Sequence, residues 1–451
     1  MKFTHLLPSW VWAFSLFSIS VGTVSATPMV TLSLEEAINR AQTHDLWLAQ
    51  SRYQQSSYES QAAFNSALPD PKVSVAMANL PTDSFDFEQE PMTQLKVGIS
   101  QMFPRGDSLA IKQKQSELMA EQQVYLRADR SLQLERQVTQ LWLDAFKAAK
   151  TIQLIERNRS LFTHLVDVAE SSYTSALGRT RQQDLVRAQL ELTRLDDRLN
   201  VLEQQHMIAK SRLGEWLSED YLYADRFQLA DDMPKLLLQS TSLNGNSNAD
   251  VILQKDLSHH NLSQHLQQHP AVKSIEFQIT VADQKVRLAE QKYRPQWGLN
   301  ASYGYRGDDA MGDDRADFMS VGVTFDLPLF TEQKQDKEVQ SAVANTQRMK
   351  TQKWLKVRTM MSEYQAQNAR LEGLKQRAKL YQQQLLTQMN EQSEAALTAY
   401  THDDGLFSEV VQARIAELNA LIDALHIDID TAKTIAAMNY FLPAPKQGET
   451  L

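Results

Sequence analysis

Residues 134–155, LERQVTQLWLDAFKAAKTIQLI, decide the fold of this chain. Their apolar side chains recur at alternating steps of four and three residues without a miss. That spacing forms one stripe along an α-helix and is typical of a coiled-coil seam. The same rhythm occurs over 185–202, 371–385 and 411–432. We therefore predict helical hairpins that pack along their length.

The helices are expected to be unusually long. No Pro or Gly occurs between Ser108 and Tyr173, and at ~1.5 Å per residue that stretch would extend ~100 Å. The whole chain of 451 residues holds 14 Gly and 13 Pro, which favours long helices over an all-β fold. A compact domain has no use for such a helix, so the sequence predicts one elongated body.

The two halves of the chain resemble each other at an offset of roughly 225 residues. VGISQMFP at 97–104 is similar to VGVTFDLP at 321–328, and DLVRAQL at 184–190 is similar to EVVQARI at 409–415. A duplicated unit is the simplest interpretation. The domain prediction is a signal peptide over 1–26, a first structural repeat over 27–217, a loop-rich insert over 218–268, a second repeat over 269–440 and a C-terminal tail over 441–451.

Four segments alternate apolar and polar residues over about 7–11 positions, the length at which a tilted strand crosses a bilayer. Two soluble hairpins packed on a core fit the alternation equally well. Four strands cannot close a barrel, and open edges are not tolerated in lipid, so spanning strands would require several chains in one barrel. The acidic connections, 81–91 and 306–317, would face the exterior. The segments are 73–78, 95–100, 296–306 and 319–327.

The N-terminus has the pattern of an export signal. Lys2 is followed by an apolar run from Leu6 to Val24 and by the small residues Val24-Ser25-Ala26. This indicates a cleaved secretory signal peptide, with an uncleaved anchor as the alternative. After residue 26 no apolar run reaches the ~18 residues of a spanning helix. Export without a spanning helix favours the membrane barrel.

Composition excludes several function classes. The net charge of −9 argues against nucleic-acid binding, and zero Cys rules out disulfides, thiolate metal sites and Cys nucleophiles. No catalytic or phosphate-cradling motif is visible, so we predict neither an enzyme nor a cofactor. His265 and His269 have the i,i+4 spacing of a helical metal pair, and His259 and His260 lie nearby. A solvated polar insert is the simpler interpretation, and we predict no metal site.

As an ordered set, these features resemble the TolC family of outer-membrane efflux channels. The set comprises the duplication, LSLEEAINRAQTHD at 32–45, the strand–Pro–helix junctions at Pro104 and Pro328, and the heptad hairpins with their turn motifs. The segment 68–109 looks most like channels paired with heavy-metal efflux pumps. The resemblance implies a homotrimer in the outer membrane of a Gram-negative cell. Three copies of four strands would form a 12-stranded barrel continued by a periplasmic helical tunnel.

The resemblance also implies partners and sites. The tunnel would dock with a periplasmic adaptor protein and an inner-membrane pump, which in the family's heavy-metal branch is of the resistance-nodulation-division type. In the family, carboxylates just after the second turn constrict the tunnel. The matching stretch begins at Glu409 and ends at Gln412, which departs from the acidic pattern. The other predicted pore residues are Asp403 and Asp404, a few residues upstream, and Asp184 and Arg187, at the equivalent place in the first turn. The turns expected to dock the adaptor contain Gly178, Gly405 and Leu406.

Other interpretations remain open from sequence. The charges near the turns could be solvated side chains whose exposed pairs contribute little. The whole chain could be a soluble periplasmic coiled-coil adaptor or scaffold rather than an exit duct. The strand faces and the cell fraction that holds the protein discriminate between these functions.

Overall fold

The computed structural model describes residues 30–174, 181–221, 226–238, 259–309, 311–402 and 405–443. The predicted signal peptide lies outside these residues. The fold is mainly helical. The helices are α1 Leu34–His44, α2 Leu46–Ser66, α3 Ser108–Thr174, α4 Gln182–Leu217, α5 His259–Gln267, α6 Pro270–Glu290, α7 Gln335–Leu380, α8 Leu386–Thr401 and α9 Phe407–Asn439. The strands are β1 Val30–Leu32, β2 Lys72–Ala78, β3 Gln94–Phe103, β4 Phe227–Leu229, β5 Trp297–Tyr305 and β6 Phe318–Phe325.

The predicted long helix is confirmed. Helix α3 runs unbroken for 67 residues, which corresponds to ~100 Å. Helices α7 and α8 form a second long helix, because the five residues Tyr381–Leu385 between them make a π-helical turn. A π turn shifts the register of the side chains. Consequently Leu371 and Leu374 are buried as the heptad predicts, whereas Tyr381 and Leu385 beyond them are only half-buried.

The predicted heptad residues form the helical core. Ile155 and Phe162 of α3, Leu195 of α4, and Leu418 and Ile422 of α9 make one buried cluster. Helix α3 packs on α4, α8 packs on α9, and α9 also packs on α3. Seam residues therefore join two antiparallel hairpins into one bundle.

The same order of elements occurs twice along the described chain. Helix α2 leads through β2 and β3 to α3 and α4, and α6 leads through β5 and β6 to the α7–α8 helix and α9. Both α2 and α6 have 21 residues. Each is capped at its N-terminus by a side chain, that of Asp45 for α2 and that of His269 for α6.

All four predicted strands are present and form one antiparallel sheet in the order β2-β3-β5-β6. Val97 of β3 lies opposite both Val75 of β2 and Tyr303 of β5, and Ala301 of β5 lies opposite Val321 of β6. The central pairing of β3 with β5 joins the two halves of the chain. Strands β2 and β6 are the edges.

A second buried centre lies around the middle of α3. Strand β1 pairs in parallel with β4, and Trp142 donates from its indole nitrogen to the Leu32 carbonyl at 3.2 Å. The Lys210 ammonium, also buried, donates to the Phe227 carbonyl at 2.6 Å. The described residues 226–238 of the predicted insert are thus held against the helices.

The insert is less loop-rich than predicted, because 259–267 form α5. Leu262 and Leu266 of this helix are buried against Val357, Met360 and Tyr364 of α7. This apolar contact stabilises a helix in a segment whose polar composition had indicated a loop.

Within the described parts of the chain, no helix is both long enough and apolar enough to span a membrane.

Candidate functional site: the hairpin tips and the four-stranded sheet

The ends of the two hairpins meet around a small apolar cluster. Ala169 of α3, Ala188 of α4, and Phe407 and Val411 of α9 are all buried there. Tyr400 of α8 packs edge-on against Phe407, with ring centroids 5.4 Å apart. This end of the bundle is therefore a packed unit built from four helices.

Asp184 and Glu409 occupy equivalent positions beside this cluster, since each is the third residue of its helix. The Asp184 carboxylate accepts a hydrogen bond from the Arg181 backbone N–H at 3.2 Å and so caps α4. Glu409 is exposed. A negative charge in the first turn is favoured by the helix dipole in both cases.

Arg187 and Gln412 also occupy equivalent positions, one turn further along α4 and α9, and both side chains are exposed. Four of the six predicted pore residues therefore lie at the same end of the bundle, on its surface. Asp403 and Asp404 lie outside the described residues. A ring of these side chains around an opening requires further copies of the chain.

The predicted docking turns are partly described. Leu406 precedes the first residue of α9 and has 60% of its side chain exposed, so it offers apolar surface at the tip. Gly405 is packed closely: a Cβ at this position would lie 3.0 Å from the Ala399 Cβ and the Tyr400 backbone nitrogen. Gly178, in the first turn, lies outside the described residues.

Sequence reasoning missed an ion-pair clamp between α8 and α9. Arg414 donates to Glu394 of α8 at 2.7 Å and to Glu417 of α9 at 2.9 Å. Burial alone would lower the pKa of the Arg414 guanidinium, but hydrogen bonds to both carboxylates raise it overall. The i,i+3 spacing of Arg414 and Glu417 is visible in the sequence. Many residue pairs on exposed helices have this spacing, so it did not single out this ion pair.

The sheet has two distinct faces, one mostly apolar and the other mostly polar. In an antiparallel ladder, directly opposed residues lie on the same face. Val75, Val97, Tyr303 and Met319 are linked in this way, and all four are exposed. The apolar face consists of Val73, Val75, Met77, Leu95, Val97, Ile99, Phe103, Trp297, Leu299, Ala301, Tyr303, Tyr305, Met319, Val321, Val323 and Phe325, and Gln101 is the one polar residue in these strands on that side.

The opposite face is mostly polar or small, with Met102 and Phe318 as its large apolar residues. Ser74, Gly98, Ser302 and Ser320 are opposed in register across the four strands. A Cβ on Gly298 would come within 2.6 Å of the Thr324 hydroxyl oxygen and 2.7 Å of the Met102 sulfur, so a larger residue there would require both side chains to move. Small side chains on one face and large ones on the other favour a sheet that curves around its polar side.

Aromatic rings lie at both ends of the apolar face. Trp297 and Phe325 pack together near the helices, with ring centroids 5.0 Å apart. At the far end Tyr305 stacks on Phe87 of the β2–β3 connection at 6.2 Å. Two aromatic levels that bracket an apolar band are typical of strands that cross a membrane.

The two acidic connections beyond the far end are bound to each other. Arg306 donates to the Pro91 carbonyl at 2.9 Å, and Arg315 donates to the Glu88 and Glu90 carbonyls at 3.4 Å. Backbone N–H groups of Asp313 and Met311 donate to the Asp309 carboxylate and lower its pKa. Backbone contacts therefore order these loops despite their like charges.

The histidines of the insert do not assemble as a metal pair. His269 accepts the Ala271 N–H at Nδ1, 3.1 Å away, and its Nε2 therefore donates to the Tyr440 carbonyl at 2.8 Å. Burial lowers the pKa of His269 and also that of His265. Neither nitrogen of His269 is free for a metal, and the described residues contain no group of three or more potential His, Asp or Glu ligands.

Residues 261–436 match the family described as outer membrane efflux protein. No curated protein matches the chain.

Solved structures share the fold over nearly the whole chain. CusC, described by its folding and transmembrane channel formation, is 15% identical, covers 92% of each chain and gives a TM-score of 0.71. The outer membrane protein VceC of Vibrio cholerae is 14% identical, covers 91% of this chain and 95% of its own, and gives 0.72. The Campylobacter jejuni CmeC outer membrane channel is 14% identical, covers 96% and 93%, and gives 0.70. The fold is thus that of these channel proteins.

Proposed function

We propose that three copies of this chain form the outer-membrane exit duct of a tripartite efflux system in a Gram-negative cell. The single observation that carries the proposal is the four-stranded sheet, which has one continuous apolar face and two unpaired edges and is continued by helices of up to 67 residues. The match of 261–436 to the outer membrane efflux protein family and the shared fold of the channel structures support it.

The sheet supports three copies. Unpaired edges in lipid leave backbone groups without hydrogen bonds, so β2 of one copy would pair with β6 of the next. Two copies would give about eight strands, whose interior is filled by side chains, whereas three would give about 12 and leave an aqueous lumen. The apolar face would then contact lipid, and the face with Ser74, Gly98 and Ser302 would line the lumen.

The helices would form the periplasmic tunnel, and the hairpin tips its gate. In a trimer, Glu409 and Asp184 would recur three times around the opening, where like charges at one level attract cations. Arg187 and Gln412 would lie one turn inside it, and Asp403 and Asp404 would add charge at the second turn. The turns at Gly178, Gly405 and Leu406 would contact the adaptor, and the pump would supply the energy.

The cargo and the pump class are finer parts of the same proposal. The resemblance of residues 68–109 to channels paired with heavy-metal pumps makes metal cations the first cargo to test, with a pump of the resistance-nodulation-division type. Deletion of the gene should then lower metal tolerance of the host, and expression of the chain should restore it.

The function is tested by cell fractionation and by single-channel recording on detergent-extracted protein in planar bilayers. We expect trimers in the outer-membrane fraction and discrete conductance steps. Recovery of the chain from the soluble periplasm, without bilayer insertion, would overturn the duct and leave the scaffold function.

A further inference from the structure

A basic cavity lies where the sheet passes into the helices. It encloses about 1100 Å³ between the start of α3, the end of α6 and the start of α7. Its wall contains two carboxylates, Asp326 and Glu338, and a larger number of cations. The cationic side chains are Arg105, Lys112, Lys285, Lys292 and Lys334.

The carboxylates neutralise only part of this charge. Asp326 pairs with Arg105, and Glu338 pairs with Lys292 at 2.6 Å. The other three cations, Lys112, Lys285 and Lys334, form no ion pair with any described residue and are exposed to the cavity solvent. The wall therefore carries uncompensated positive charge.

Two amide side chains in the wall have unsatisfied polar atoms. Gln335 is 7% exposed, and its Oε1 has no hydrogen-bond partner among the described residues; the same holds for the buried Nε2 of Gln115. Burial of a polar atom without a partner is costly. Each of these atoms is shielded from solvent as placed, so a ligand would satisfy it only after the amide rotates toward the cavity.

The helix directions add to the positive potential. Helix α3 begins at Ser108 and the 46-residue α7 begins at Gln335, and both of these residues line the cavity. The first N–H groups of a helix lack intrahelical partners and carry partial positive charge, which favours an anion.

One side of the cavity is apolar. Pro104, Leu288 and Leu327 line it, and the following Leu329 and Phe330 are 72% and 90% exposed. The site therefore combines a cationic end with a surface that suits a hydrocarbon chain.

We propose that this cavity binds a phosphate ester. Lys112, Lys285 and Lys334 would hold the phosphate, since three point charges and two helix N-termini favour an anionic group over a neutral one. After rotation toward the cavity, the Gln115 amide would donate to a phosphate oxygen and the Gln335 carbonyl would accept from a hydroxyl of the ligand. The phosphate belongs either to a lipid headgroup, with its chains on Leu327 and Phe330, or to a free solute.

Isothermal titration calorimetry on the full-length protein in neutral detergent tests the site. The two probes are inorganic phosphate and dihexanoyl phosphatidylglycerol. The triple variant Lys112→Gln, Lys285→Gln, Lys334→Gln should weaken binding by about tenfold or more. The matched control, Lys337→Gln, Lys350→Gln, Lys379→Gln, removes three exposed α7 charges outside the cavity and should leave affinity unchanged.

The relative affinities identify the source of the ligand. Tighter binding of the lipid by about tenfold or more supports a headgroup, and comparable affinities support a free phosphate solute. The variant Gln335→Leu should weaken binding while it removes a buried unpaired amide, so the protein should stay folded. Binding of neither probe, or equal binding by wild type and the triple variant, would overturn the proposal whether or not the trimer conducts.

Discussion

The guanidinium of Arg414 joins α9 to α8 through a 2.7 Å ion pair with Glu394. Only 14% of the Arg414 side chain is exposed, and its second hydrogen bond, to Glu417, lies within α9. The clamp lies just behind the cluster of Ala169, Ala188, Phe407 and Val411. It therefore couples the helix that leads into the second turn to the helix that leaves it.

We expect Arg414→Ala to loosen the tip of the second hairpin. Glu394 is half in solvent, so most of the effect comes from Glu417, which would lose its partner while mostly buried. A cost of about 1–2 kcal/mol should accelerate amide hydrogen exchange in 394–417 roughly tenfold. Arg348→Ala is the control, since Arg348 contacts Asn345 of its own helix. Equal exchange rates in wild type and Arg414→Ala would contradict the clamp.

The two sheet faces should respond oppositely to one added charge. Val321→Arg places a cation on the apolar face, at a cost of ~2–4 kcal/mol per copy near the bilayer midplane. Its neighbour Ser320→Arg places the same cation on the polar face, where water would solvate it. We expect outer-membrane trimers to be lost for Val321→Arg and kept for Ser320→Arg, as measured by heat-modified mobility of membrane extracts. Equal loss for both variants would argue for a soluble packing of the sheet.

The tip carboxylates give a conductance prediction. Removal of the charge in Glu409→Gln should lower the cation preference of single channels, because the opening would lose three negative charges in a trimer. Asp184→Asn keeps the hydrogen-bond acceptor for the Arg181 N–H, so it tests charge without loss of the cap. Glu203→Gln, on the exposed side of α4, is the control. Unchanged selectivity in both tip variants would remove Asp184 and Glu409 from the gate.

The helices and strands were largely predictable because both depend on local periodicity. Heptad spacing required burial of Ile155, Leu195 and Ile422, and all three are buried. Alternation in 319–327 required one apolar face, and the register provides it. Such patterns repeat many times in the sequence, so single exceptions do not obscure them.

Features that depend on one distant contact were not predictable. Helix α5 forms because Leu262 and Leu266 contact α7, and the His269 ring is held by the carbonyl of the distant Tyr440. Composition had indicated a loop here, and the spacing of His265 and His269 matched a metal pair that we did not predict. The gate residues depend on copies of the chain that meet around an axis, and their pore role stays a prediction.

The buried His269 predicts a loss of stability at mildly acidic pH. Burial lowers the pKa of His269, and the nearby Asp129 carboxylate and Lys356 ammonium act on it in opposite directions. The unfolded chain therefore binds one more proton than the folded chain as the pH falls below the unfolded pKa of about 6.5. The free energy of unfolding is therefore not reduced by this group at pH 8, and it decreases toward pH 5 by up to about 1.4 kcal/mol per pH unit.

The variant His269→Asn tests this effect, since Asn also caps helices well. We expect thermal unfolding of the variant to depend less on pH between 8 and 5 than that of the wild type. His206, His265 and His426 also have pKa values lowered by burial, so some dependence should remain. Replacement of the exposed His164 by Asn should change nothing, and identical slopes for wild type and His269→Asn would refute the assignment.

Lys96 predicts the charge preference of the barrel lumen. Within the four strands of the sheet the only charged residues are Lys72 and Lys96, and both lie on the polar face. Lys96 lies opposite Ala76 and Gly304, so no neighbour in the ladder neutralises it. In a trimer its ammonium groups would form a ring that opposes cation passage at the level of the membrane.

Lys96→Glu should therefore shift the reversal potential in a salt gradient toward cations, with a change of about threefold or more in the permeability ratio. Lys235→Glu, in the exposed segment after β4, makes the same change of charge outside the sheet and should leave the potential unaltered. If Lys96→Glu behaves like Lys235→Glu, the polar face does not line the conducting path.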